Sequence, residues 1–222
     1  MRIEVNGARL WFDVAGSSLV PDDLRGLCDR LGIVAPLLYG HSMGGFVALL
    51  SALRHLGHAG GLLLQATAAR HDTKRIVREF RTRFGDDLAD VVARIFAGQT
   101  TSVEDNRRAL AAFGPRRPDD DTYARIISNP DLQAATRDVA RFDVVDELHR
   151  IDVPTLVTVG ALDPVTPVAA AQELAGGLPA ASGHLEVLDN AGHFPWLDDP
   201  DRYWPHVERF ITSWSGRLTR RR

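Results

Sequence analysis

Apolar residues recur along this chain with two periods, and the way the periods alternate predicts strands and helices in turn. Ile3 to Val5 and Leu10 to Val14 alternate apolar and polar around Asn6-Gly7, a dipeptide suited to the tight turn of a two-residue hairpin. Asp22 to Leu31 places Leu24, Leu27, Cys28 and Leu31 at helical spacing, with Gly32 to close the helix. A short apolar strand, Ala35 to Tyr39, is followed by a helix from Gly44 to Leu56 and a strand from Gly60 to Gln65. This order predicts an α/β fold built on a mostly parallel sheet flanked by helices.

From Ala69 to Arg150 the pattern changes. The stretch is charged, shows no clear strand, and carries the helical sets Ile76, Val77, Phe80, Phe84 and Leu88, Val91, Val92, Ile95, Phe96. Breaks fall at Gly85, Gly98 and Gly114-Pro115. The α/β alternation then resumes with a strand Val153 to Gly160, a helix Thr166 to Ala175, a strand His184 to Leu188 and a closing helix Tyr203 to Trp214. The expected organisation is a core from residues 1–68 and 151–222, interrupted by a helical cap over 69–150.

Candidate chemistry sits where predicted strands end. Gly40-His41-Ser42-Met43-Gly44 reads G-x-S-x-G between an apolar strand and an apolar helix. A serine hydroxyl is a weak nucleophile unless the backbone holds it out on such a turn, beside a base. Gly40 and Gly44 leave room for the turn, and Gly45 lets the helix pack against the strand. The competing reading is a glycine-rich turn in which Ser42 caps the helix. An acid and then a histidine should follow, each after a strand. Asp163 follows Val153 to Gly160, and His193 follows His184 to Leu188. Asp163 has the alternative duty of capping the next helix, and His193 that of an ordinary loop histidine. Among the other histidines, His184 is expected to begin a strand, and His55 and His58 to lie exposed at the end of the serine-bearing helix. His41, next to the serine, cannot easily aim its ring at the hydroxyl.

These residues resemble the α/β-hydrolase superfamily, and most closely its proline iminopeptidase branch of capped serine hydrolases. The resemblance rests on Gly40-His41-Ser42-Met43-Gly44-Gly45, Gly160-Ala161-Leu162-Asp163, Asn190-Ala191-Gly192-His193-Phe194-Pro195-Trp196 and the hairpin Val5 to Phe12. It implies a catalytic Ser42, Asp163 and His193, acyl transfer to water without cofactor or metal, and a small-molecule or short-peptide substrate roofed by the cap. The family pattern also has a strand, helix and strand between the hairpin and the helix at Asp22, and these are missing here. That unit, the usual third and fourth strands, carries the loop that donates half of the oxyanion hole. The backbone N–H of Met43 remains as one donor. Loss of the other typically costs about 2.7 to 4 kcal/mol of barrier, unless Gly16, Ser17 or Ser18 replaces it. The same loss would bare the edge of the strand Ala35 to Tyr39, and three outcomes are open: the opening hairpin slides across to fill the place, the hairpin stays loose, or a second copy of the chain covers the exposed sheet edge by self-association. The resemblance therefore implies a serine hydrolase with peptidase, esterase or lactonase chemistry, a proline iminopeptidase-like aminopeptidase first among these; the alternative is an impaired hydrolase remnant that serves as a binding scaffold or has no activity. Cap acids in iminopeptidases hold the peptide's free amino group, but Glu79, Glu104, Glu147 and Asp119-Asp120-Asp121 match no motif and read as solvated surface charge.

Composition narrows the setting. With 222 residues, 45% hydrophobic and 25% charged, the chain suits one globular core with an insertion. A net charge of -3 gives no general attraction to nucleic acid. No apolar run of about eighteen residues suggests a membrane span, and no signal-peptide pattern opens the sequence, so a cytoplasmic protein is expected. Cys28 is the sole cysteine, which excludes an internal disulfide, and its place on an apolar stripe suits core packing.

Overall fold

A computed structural model describes residues 2–5, 8–11, 21–99, 101–116 and 139–220, the hairpin and 217–220 through their backbone alone. The linker 15–20 with its candidate oxyanion donors, Asp119 to Asp121 and the last two arginines lie outside the described residues.

Strands β1 (Arg2–Val5) and β2 (Ala8–Trp11) form an antiparallel ribbon. Val5 pairs with Ala8, which leaves Asn6-Gly7 as the two-residue connection. Helix α1 (Pro21–Leu31) begins on a proline, which loses no hydrogen bond at that position. It stops at Gly32, whose φ of 65° suits glycine. Strand β3 (Leu37–His41), helix α2 (Met43–Arg54) and strand β4 (Gly61–Gln65) follow. Beyond the insertion come β5 (Thr155–Gly160), α6 (Val168–Gly177), β6 (Gly183–Leu188), one helical turn (Pro195–Asp198) and α7 (Pro200–Arg220). The four strands β3 to β6 lie side by side in chain order and are all parallel. Strand β3 ends at His41 rather than Tyr39, so the sheet reaches the residue before the serine.

The period of two decides which side chain joins which core. Leu62, Leu64, Val157 and Val159 pack with Phe46, Leu49 and Leu53 of α2 and with Ala170, Ala171 and Leu174 of α6. Leu63 and Leu156 point the other way, toward Tyr203 and Val207 of α7. Both inner strands are buried throughout, as expected where helices cover both faces of a parallel sheet. Cys28 of α1 is buried. Among the described residues no helix is long and apolar enough to cross a membrane.

Helices α3 (Thr73–Phe84), α4 (Asp86–Phe96) and α5 (Val103–Ala111) occupy the stretch between β4 and β5. They close a core of their own from Ile76, Phe80, Leu88, Val91, Val92 and Ala109. Gly85 and Gly98 take φ of 88° and 67° at the predicted breaks. The ends of the stretch are tied together, since the Val144 N–H donates to the Ala69 carbonyl and the His71 N–H to the Phe142 carbonyl, both at 2.9 Å. Glu79, Glu104 and Glu147 each pair with an arginine three or four residues along the same segment. Glu104 and Glu147 are exposed, the solvated-surface role read from the sequence, whereas Glu79 is half-buried.

Candidate active site

Ser42 sits between β3 and α2 with φ 53° and ψ −123°, a conformation that costs a non-glycine residue about 1 to 3 kcal/mol. Three bonds hold it there. The Ser42 N–H donates to the Gln65 carbonyl at 2.9 Å. Its own carbonyl accepts the Gly45 N–H at 2.9 Å and the hydroxyl of buried Thr67 at 2.8 Å. The Ser42 hydroxyl makes no capping bond to α2, which removes the capping alternative and leaves it free for chemistry. A Cβ at Gly40 would overlap the backbone of Gly44 and Gly45, and one at Gly45 would overlap Thr67. Gly44 differs from expectation: outside its own helix a Cβ there meets nothing within 4 Å, so the turn's crowding falls on Gly40 and Gly45.

Asp163 and His193 meet across the exits of β5 and β6. His193 Nδ1 donates to Asp163 Oδ2 at 2.8 Å, with the Asp163 side chain fully buried and that of His193 4% exposed. With its proton on Nδ1, the imidazole keeps a lone pair on Nε2. Asp163 Oδ1 also accepts the Val165 and Thr166 N–H groups at 2.8 and 3.0 Å, and Oδ2 accepts the Thr166 hydroxyl at 2.5 Å. Burial pushes the Asp163 carboxyl up, but the His193 imidazole beside it and these hydrogen bonds outweigh that and hold it below its ordinary range. Helix α6 starts at Val168 after Pro167, with no side-chain cap, so Asp163 braces the preceding turn instead of capping the helix. Gly160 lets the two exits close, because a Cβ there would overlap the carbonyls of Ala191 and Gly192. The Leu162 N–H donates to the Ala191 carbonyl at 2.9 Å and fixes the contact.

His41 has a role that its position in the sequence did not suggest. Its Nε2–H donates to the His193 carbonyl at 2.9 Å, and its ring packs edge-on to Trp196 with centroids 4.8 Å apart. Burial, then the neighbouring His193 imidazole, lowers its pKa to about 3, so it stays a neutral donor. His58 corrects another expectation. It is buried, with neither ring nitrogen bonded, instead of exposed beyond the helix end. His55 instead pairs with Asp22 of α1 at 2.9 Å. His184 is exposed on β6 and bonds to Glu186 at 2.7 Å.

Ser42, Met43 and His193 open onto one cavity of about 400 Å³ under the helical insertion. Its walls are mainly apolar: Phe46 and Ala170 from the core, Ile76 and Phe96 from α3 and α4, Phe113 after α5, and Val165 beside the acid. Arg70, Asp72 and Arg75 form its polar side. Both guanidiniums converge on Glu173 of α6, Arg75 at 3.1 Å and Arg70 in closer contact. Chiefly through Arg70, this pairing holds the Glu173 carboxyl low. Glu173, remote in sequence from the insertion, carried no motif that could have exposed this. Among the described residues no group of three histidine, cysteine or acidic side chains could hold a metal ion.

The Alpha/beta hydrolase family profile matches residues 7–205. A proline iminopeptidase from Saccharolobus solfataricus is 25% identical over 198 residues, covering 79% of this chain and 61% of its own length. A pimeloyl-(acyl-carrier protein) methyl ester esterase from Aeromonas salmonicida is 28% identical over 199 residues, covering 83% of this chain and 75% of its own. The chain thus spans less than two thirds of the iminopeptidase it matches. The crystal structure of VinJ overlays with a TM-score of 0.74 at 22% identity, over 96% of this chain and 79% of that one, a likeness of fold. With the match extending over nearly all of its length, the chain belongs to the alpha/beta hydrolase family.

Proposed function

We propose that this protein is a serine hydrolase that cleaves a carboxylic ester or amide through an acyl-enzyme, with a preference for an apolar acyl group. Ser42 attacks the carbonyl, His193 Nε2 takes the hydroxyl proton and returns it to the leaving group, and Asp163 orients the imidazole and stabilises its charged form. The Met43 N–H, first in α2, lies at the positive end of the helix dipole and serves the developing oxyanion. Helices α3 to α5 act as the cap that selects the substrate. The observation that carries the reading is the buried His193–Asp163 hydrogen bond at 2.8 Å, opening onto the same cavity as the strained Ser42.

The walls of that cavity favour an ester over a peptide with a free amino terminus. An α-ammonium needs an uncommitted carboxylate, and Asp72 is the one acid lining the cavity among the described residues. Its Oδ1 already accepts the Arg75 N–H at the start of α3, at 2.9 Å. The aminopeptidase reading, suggested by the iminopeptidase relative, is therefore the second choice. The test is labelling by a fluorophosphonate, together with turnover of p-nitrophenyl butyrate and of proline p-nitroanilide. The expected result is labelling abolished in Ser42→Ala and His193→Ala, with the butyrate ester the better substrate. A folded protein that neither labels nor turns over either substrate refutes the hydrolase reading. Preference for the prolyl amide reverses the choice between the two substrates.

A further inference from the structure

The turn that bears His193 is fastened by the helical insertion as well as by the sheet. The His193 N–H donates to the Phe113 carbonyl at 2.6 Å, and the Phe113 ring stands edge-on to the imidazole with centroids 5.4 Å apart. Asp198, in the helical turn just beyond, joins the two segments with both oxygens. Oδ2 accepts the Gly192 N–H at 2.8 Å, and Oδ1 accepts the Arg116 N–H at 2.6 Å. The backbones meet too closely here for side chains. A Cβ on Gly192 would overlap the Phe113 carbonyl, and one on Gly114 would lie 2.8 Å from Asp198 Oδ2 and 3.1 Å from the Gly192 Cα. The acyl-transfer chemistry makes no use of this carboxylate.

We infer that Asp198 is a positioning residue that locks the turn carrying His193 to the segment after α5, so that the seating of the cap and the aim of the base are one event. The inference rests on the reading of His193 as the base. Charge-assisted bonds from a carboxylate to N–H groups are about twice as strong as neutral ones. Two of them, one to each segment, hold the backbone on which the imidazole is mounted. Base and nucleophile must stay within about half an ångström of their productive geometry, so slack in this mount is felt at Ser42. The coupling runs both ways: a substrate that lifts the Phe113–Arg116 segment moves the base.

The test measures p-nitrophenyl butyrate turnover for Asp198→Ala, Asp198→Asn, Asp198→Glu and His193→Ala. For each variant the low-field proton resonance of the His193–Asp163 hydrogen bond is recorded by NMR. Asp198→Ala is expected to lower kcat by about tenfold to a hundredfold with KM changed less than about threefold, and to shift or broaden that resonance. Asp198→Asn should resemble it, because its amide donor faces one of the two N–H groups. Asp198→Glu keeps both acceptors and should recover part of kcat. If Asp198→Ala does not fold, Gly114→Ala, which wedges the two backbones apart, should give the same kcat loss and spectral change. A full kcat and an unmoved resonance in the folded variant, even with a lowered Tm, overturn the inference, since they leave a purely structural role. An inactive His193→Ala beside a fully active Asp198→Ala sinks the inference alone. A fully active His193→Ala overturns the base assignment and the inference with it.

Discussion

Replacing His41 with glutamine isolates the energetic consequence of a neutral histidine behind the serine. In the folded chain burial and the adjacent His193 imidazole lower the His41 pKa to about 3. An unfolded histidine titrates near 6.5. Between these values the unfolded state binds a proton that the folded state refuses, so stability falls as the pH falls through this window and is fully regained above it. The slope is about 1.4 kcal/mol per pH unit, which accumulates to about 2 to 3 kcal/mol between neutrality and roughly pH 4.5. His41→Gln keeps an N–H donor for the His193 carbonyl but cannot titrate. Urea unfolding of both proteins at the two pH values should therefore show the wild type losing about 2 to 3 kcal/mol more than the variant. Burial also lowers the pKa of His58 and His71, but both proteins contain them and they cancel in the difference. Equal losses in the two proteins would refute a neutral, buried His41.

Three further outcomes follow from the geometry. Ser42→Gly should abolish turnover yet raise stability by about 1 kcal/mol in denaturant unfolding, because glycine accepts the φ of 53° without strain. Asp163→Asn should leave the fold intact but lower kcat by about 10⁴, as the wrong imidazole tautomer is favoured. The depressed Asp163 carboxyl contributes stability that is present above its ordinary pKa and lost as pH falls through the folded value, so this variant should also show a flatter acid limb in unfolding. Gly160→Ala should destabilise the protein by about 1 to 3 kcal/mol or more and reduce ester turnover. Its Cβ would drive the Ala191–Gly192 segment, and His193 with it, off the acid turn.

Much of this architecture is local and was legible before any coordinates. Periods of two and 3.6 assign strand and helix because neighbouring side chains alternate or spiral about their own backbone. The antiparallel pairing of Val5 with Ala8, the breaks at Gly85 and Gly98 and the core placement of Cys28 are of this kind. Ser42, Asp163 and His193 could be singled out because each follows a predicted strand, and parallel strands release their chains at one edge of the sheet. The acid turn could not be separated from a helix cap in the sequence, since both need an aspartate before a helix. The uncapped helix start at Val168 and the buried bond to His193 together decide what Asp163 does.

What stayed hidden depends on contacts between segments far apart in the chain. Nothing around His41 announced a bond to the His193 carbonyl, nothing around Glu173 a pairing with Arg70 and Arg75, and nothing around Asp198 a bridge to Arg116. His58 reads as the exposed end of the serine-bearing helix, but that helix stops at Arg54, and His58 is buried beyond it with Arg25 and Asp29 of α1 for neighbours. The sequence by itself determined the α/β order and which three side chains could carry the chemistry, because backbone geometry and short-range spacing suffice for both. Tertiary structure alone decided the burial of His41, the commitments of the arginines and the bonds that fasten the turn bearing His193, because burial and pairing are properties of neighbours that the chain meets only when folded.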